Sequence, residues 1–150
     1  MYRNFAFAAG AVIVSASGAA YAQDFSLEPS FGTVALDTGF EPDPYQVEII
    51  AGGTVDAASV GCAGMIADAP DFRLNYNAGD IFPLIISVAS ADDTTLVINA
   101  PDGSWICDDD TDGLNPVVSL SSPLSGQYDI WVGDYEGGNA ASVLSISEVE

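Results

Sequence analysis

From Tyr45 onward, apolar residues recur at every second position in short runs, and this period most narrows what the chain can become. Tyr45, Val47 and Ile49 alternate with Gln46 and Glu48. Phe72, Leu74 and Tyr76 alternate with Asp71, Arg73, Asn75 and Asn77. Leu84, Ile86 and Val88 share a face, as do Leu96 and Ile98. Tyr128, Ile130 and Val132 oppose Asp129 and Trp131, and Leu144 and Ile146 oppose Ser145 and Ser147. A strand sends successive side chains to opposite faces, so each run is a half-buried strand. Ala51-Gly52-Gly53, Asn77-Ala78-Gly79-Asp80, Ala100-Pro101-Asp102-Gly103 and Ser125-Gly126 supply turns between them. The expectation is all-β: an antiparallel, jelly-roll-like β-sandwich of roughly seven to nine strands over residues 45–150. Residues 23–44, punctuated by Pro29, Gly32, Gly39, Pro42 and Pro44, read as an irregular lead-in with one short strand at Phe31–Leu36. A helical turn is expected near Ser59–Ile66, and Ser147–Glu150 are expected to fray.

Residues 1–22 read as a secretory signal peptide, placing the protein in the periplasm or outside the cell. Arg3 gives the positive start, Phe5–Ala20 is apolar, and Ala20-Tyr21-Ala22 is an A-x-A cleavage site. The alternative, a membrane anchor, is opposed by the short, glycine-interrupted apolar run. No later segment approaches the ~20 apolar residues of a membrane span. Cleavage after Ala22 leaves Arg73 as the one basic side chain against 22 acids. Such a surface disfavours nucleic acid and anionic membranes, which need basic patches. The acidity itself reads equally as solubility or adaptation to salt. Cys62 and Cys107 are expected to pair in an oxidising compartment, the alternative being two buried thiols. The bridge would close a loop of about 46 residues, with an entropic worth of roughly 4 kcal/mol.

The absence of histidine and lysine removes most catalytic designs. There is no Ser-His-Asp or Cys-His arrangement and no Ser-Lys dyad, and zinc lacks its usual nitrogen and free thiolate ligands. Asp37-Thr38-Gly39 occurs once and reads as a turn, since an aspartic dyad needs two facing loops. Oxygen-ligand metal chemistry is what remains. Asp108, Asp110, Asp112 and Gly113 fit D-x-D-x-D-G, the first half of a calcium loop, with Leu114 offering a carbonyl. Ser119 stands where an EF-hand would carry its bidentate glutamate, and no helical pattern flanks the loop. The expected site is therefore a calcium loop between strands, with Asp92, Asp93 and Asp102 as further ligands. The alternative is a solvated acidic turn that keeps a strand edge soluble. Trp131, Trp105 and Tyr135 are candidates for stacking on a sugar ring. Against that, either tryptophan could cover the disulfide or the second face of a sheet.

From Asp71 to Tyr135 the order of motifs resembles the bacterial pre-peptidase C-terminal domain. The pieces are Phe72-Arg73-Leu74-Asn75-Tyr76-Asn77-Ala78-Gly79, Asp93-Thr94-Thr95-Leu96-Val97-Ile98, Ala100-Pro101-Asp102-Gly103 and Ser125-Gly126-Gln127-Tyr128-Asp129-Ile130-Trp131-Val132. The resemblance implies a β-sandwich, export, structural calcium and no catalysis of its own, often beside a protease domain. The chain departs from that pattern by its cysteine pair and by lacking an attached catalytic domain. The expected function is a non-enzymatic exported binding or accessory module holding structural calcium, its partner a glycan or another exported protein. Two alternatives stand beside it: an assembly protein stacking through strand edges into a surface layer or filament, and a carbohydrate-binding module.

Overall fold

The computed structural model describes residues 23–149. The expected signal peptide lies outside the described residues. Two sheets face each other across one apolar layer, and one disulfide joins Cys62 to Cys107. Sheet I holds β1 (Thr33–Asp37), β5 (Phe72–Asn77), β10 (Gly126–Asp134), β7 (Thr94–Asn99) and β8 (Trp105–Asp108). The two-residue strands β3 (Val55–Asp56) and β4 (Met65–Ile66) extend it. Sheet II has the order β2 (Tyr45–Gly52), β11 (Asn139–Ser147), β6 (Leu84–Ser90), β9 (Val117–Leu120). From β5 onward the chain crosses between sheets at nearly every connection, in the jelly-roll manner.

The described residues form 11 strands, above the expected range, because two-residue strands carry no readable period. The lead-in also contributes. β1 begins two residues later than the expected Phe31 and pairs with β5 in parallel, Thr33 opposite Arg73 to Asp37 opposite Asn77, so the sandwich is not wholly antiparallel. The helical turn is a 3-10 turn at Ala57–Val60, capped by Asp56, whose carboxylate accepts from Ala58 N at 2.9 Å. The chain end does not fray at Ser147. Glu148 is buried, accepting from Tyr76 Oη and from Gly39 N at 2.6 Å.

The alternating residues meet between the sheets as read. Phe72, Leu74, Leu96, Ile98, Tyr128, Ile130 and Val132 from sheet I face Ile49, Leu84, Ile86, Val88, Leu144 and Ile146 from sheet II. A second, smaller core lies on the other side of sheet I. There Val55, Ala57, Cys62 and Ile66, from the flap 55–67, pack on Val97 and Trp131. Gly133 lets the flap approach, since a Cβ there would stand 2.9 Å from the Ile66 methyl and 3.1 Å from the Met65 carbonyl. Sheet I is thus buried on both faces at its centre, and sheet II on one.

Arg73 is committed through two of its three guanidinium nitrogens in this frame. Its Nε donates to Asp129 at 2.6 Å, and its Nη2 donates to the carbonyls of Phe25 and Leu27 at 2.8 and 3.0 Å. With Asp129 almost fully buried, removing either partner leaves an uncompensated charge. The one basic side chain of the described residues therefore ties the lead-in to sheet I.

Candidate functional site: the acidic end of the sandwich

Three connections meet at one end of the sandwich. The β6–β7 turn brings Asp92 and Asp93, the β8–β9 loop brings Asp108 to Leu114, and the β10–β11 turn follows Asp134 with Tyr135 and Glu136. The strand register explains the meeting. In the β7–β8 hairpin Leu96 lies opposite Asp108, so Asp93 and the Asp-rich loop share the hairpin's open end. Tyr135 N donates to the Asp93 carbonyl at 3.0 Å, which brings in the β10–β11 turn.

Asn115 is the residue that docks the loop, and sequence reasoning missed it. Its Oδ1 accepts from Ser90 N at 3.0 Å and from the Thr94 hydroxyl at 3.3 Å, while its Nδ2 donates to the Ser90 carbonyl. The Asn115-Pro116 dipeptide was the available signal, as Asn-Pro marks the start of turns.

The three alternate aspartates do not converge as a calcium loop would have them. Asp108 turns back on its own loop, accepting from Val117 N at 2.8 Å and from the Thr111 hydroxyl at 2.9 Å. Asp112 forms a backbone bridge with Asn115, and the side chains of Asp110 and Asp112 are exposed. The Leu114 carbonyl accepts from Thr94 N at 3.1 Å. Asp102 lies at the opposite end of the hairpin, where its carboxylate accepts from Ser104 N and Oγ at 3.0 and 2.6 Å. Four-residue β8 separates it from Asp108 by about 13 Å of strand rise, so it belongs to no common site with that loop. Among the described residues, no three acidic side chains are close enough to share an ion.

Asp93 is where the acids act on one another. Its Oδ1 is buried and has no hydrogen-bond partner. Loss of solvation raises its pKa above the ordinary carboxylate range, and the charges of Asp110, Glu136, Asp109 and Asp134 push it further. Asp134 is buried and accepts from Gly138 N at 2.8 Å, which fixes the β10–β11 turn. The end is a field of negative charge around one under-solvated oxygen. It favours a hard cation and repels anions.

The aromatic candidates separate. Trp131 is fully buried, because Trp131, Val97 and Cys107 form one row across β10, β7 and β8, and Cys107 carries the bridge to the flap. With no exposed face, Trp131 cannot stack on a sugar. Trp105, half-buried, packs against it with ring centroids 5.5 Å apart. Tyr135 is exposed and stands alone.

No family model matches the chain, and no curated protein matches it. Among solved structures the chain is similar to Aeromonas hydrophila PliG, a periplasmic lysozyme inhibitor of g-type lysozyme. The two are 13% identical, the match covers 77% of this chain and 96% of that one, and the TM-score is 0.42. Among the described residues no helix is long and apolar enough to cross a membrane.

Proposed function

We propose that the protein is a non-catalytic exported module that works by binding, with calcium as a structural partner at the acidic end. The observation that carries the calcium reading is Asp93: a carboxylate oxygen removed from water, unpartnered, within the field of four further acids. Asp109 and Asp110, on the half-exposed turn beside it, are the side chains that would complete the ligand set by rotating toward it. Calcium suits such an arrangement because it accepts irregular shells of six to eight oxygens. The resemblance to the pre-peptidase C-terminal domain supports the same reading. The binding role is supported by what the chain holds: no histidine or lysine, a bridged cysteine pair, and an Arg73 committed to Asp129.

The test is thermal unfolding with calcium, magnesium or sodium at matched ionic strength. Calcium is expected to raise the midpoint by several degrees beyond the other two. Asp93→Asn is expected to abolish that excess while raising the midpoint in chelator, since it removes the repulsion without the ion. Equal shifts for all three salts, or a full calcium shift in Asp93→Asn, would contradict the reading.

A further inference from the structure

Gln23 is held by only half of its side-chain amide. The residue is 5% exposed. Its Oε1 accepts from the Ser59 hydroxyl at 3.2 Å. Its Nε2 is buried and has no hydrogen-bond partner among the described residues. A buried donor left unmade costs free energy, and native folds seldom leave one without a reason. The chain that follows is fixed in place. Asp24 N donates to the Asp68 carbonyl at 2.9 Å, Ser30 N donates to the Pro70 carbonyl at 2.9 Å, and Arg73 Nη2 donates to the carbonyls of Phe25 and Leu27. Ser59 belongs to the 3-10 turn of the flap, ahead of Cys62. Gln23 therefore stands where the lead-in meets the flap. It is also the residue that cleavage after Ala22 would make N-terminal.

We propose that Gln23, once N-terminal, closes into a pyroglutamyl lactam, and that this neutral ring is the seated end of the mature chain. The inference rests on the export reading above. The α-amine nitrogen attacks Cδ of its own side chain. The N–Cδ bond forms, the Cδ–Nε2 bond breaks, a proton passes from the attacking nitrogen to Nε2, and ammonia leaves. No electron is transferred and no co-reactant is consumed. Closure belongs to the newly exported chain, before the lead-in docks, when amine and side chain are free to meet. The atom expelled is the one that the fold leaves without a partner, and the carbonyl oxygen is retained. The ring also removes the ammonium charge that an open-chain Gln23 would bring to the same buried place. Asp56 and Asp68, which with Ser59 line a hollow of about 560 Å³, are the groups a free ammonium would pair with. Both are exposed, and Asp56 already accepts from Ala58 N at 2.9 Å. An ion pair in that setting is worth little, and it leaves Nε2 unpartnered.

Peptide mapping of the protein recovered from the exported fraction of its host tests this. Arg73 is the one basic residue after the cleavage site, so trypsin releases the N-terminal peptide 23–73 in one piece. That peptide is expected to begin at residue 23, to weigh one ammonia less than its open form, and to resist stepwise N-terminal degradation. Pyroglutamyl aminopeptidase is expected to remove the ring from the unfolded chain and to spare the folded protein, because the seat is buried. Gln23→Ala, with a free amine at the same place, should melt several degrees below the cyclised parent. A peptide that begins at Gln23 with its side chain open and its amine free would overturn the proposal and leave export standing. A chain that still carries residues before 23 would remove the export reading and the proposal with it. A ring that the peptidase takes from folded protein, or an equal midpoint for Gln23→Ala, would overturn the buried seat.

Discussion

The two sheets present opposite solutions for their outer faces. Sheet I covers the centre of its outer face with the flap 55–67, pinned by a disulfide over Val97 and Trp131, and lines the remainder with the Arg73–Asp129 pair. Sheet II leaves its outer face uncovered, and its strands carry a single acid, Glu48. Sheet I therefore has stability invested in its outer layer, and sheet II does not. An amino acid change of the same kind should register very differently on the two.

The sharpest way to break this comparison is to truncate the outer layer of sheet I. Trp131→Ala should cost about 3–5 kcal/mol in chemical denaturation, since the flap cannot fully refill the space. The disulfide comes next. Replacing Cys62 and Cys107 together with serine should cost about 4 kcal/mol through the freed loop of 45-residue separation. A loss below about 1 kcal/mol in either would mean that the flap is only loosely held.

Acid titration sharpens the contrast further, because a deeply buried carboxyl group lies in sheet I's framework. Burial pushes Asp71 up to about 7, against the opposing effect of the Val132 N–H that it accepts at 2.7 Å. A raised carboxyl pKa means that the folded state binds more protons than the unfolded state between about pH 4 and 7. This group's contribution to stability therefore falls as pH rises through that window and is flat above it. The fall is on the order of 4 kcal/mol. Asp71→Asn, which keeps an acceptor for Val132, should flatten that part of the profile. Denaturant midpoints compared at pH 4.5 and 8 would show it, and a profile unchanged from the parent would contradict the assignment. The smallest effect belongs to sheet II. Val143→Ala should change stability by no more than about 0.5 kcal/mol, being a half-exposed residue on an uncovered face.

Period-two patterning located the inter-sheet core because alternation is a local property. Leu74, Tyr76, Ile130, Val132, Leu144 and Ile146 face inward as their spacing requires. What spacing does not carry is a second layer. Trp131 alternates out of phase with Tyr128, Ile130 and Val132, and it does point away from the main core. Whether that direction meets water or another segment depends on residues 55–67, whose two-residue strands leave no pattern. The cysteines were the legible trace of that segment, since a bridge from Cys107 had to bring residue 62 onto the same face. The parallel pairing of β1 with β5 was illegible for a related reason: register between distant strands is set by packing, not by either strand's composition.

The acidic loop teaches the complementary lesson. D-x-D-x-D-G spacing describes which side chains could converge, but not the backbone groups that compete for them. Val117 N and Thr111 claim Asp108, and a bridge to Asn115 sets the course of the backbone at Asp112. The stronger signal, the unpartnered Asp93, comes from three loops meeting at the end of a hairpin. Its position just before β7 was readable, but the burial of its Oδ1 was not.

The claim that sheet I is closed by a pinned outer layer can be tested on one side chain. The chain has two tryptophans, so Trp105→Phe leaves Trp131 as the only reporter. Its emission in the oxidised protein should be blue-shifted and closed to acrylamide, and reduction of the bridge should shift it red and open it while the far-ultraviolet circular dichroism of the sheets persists. Ready quenching in the oxidised protein, or unchanged shielding after reduction, would contradict the account.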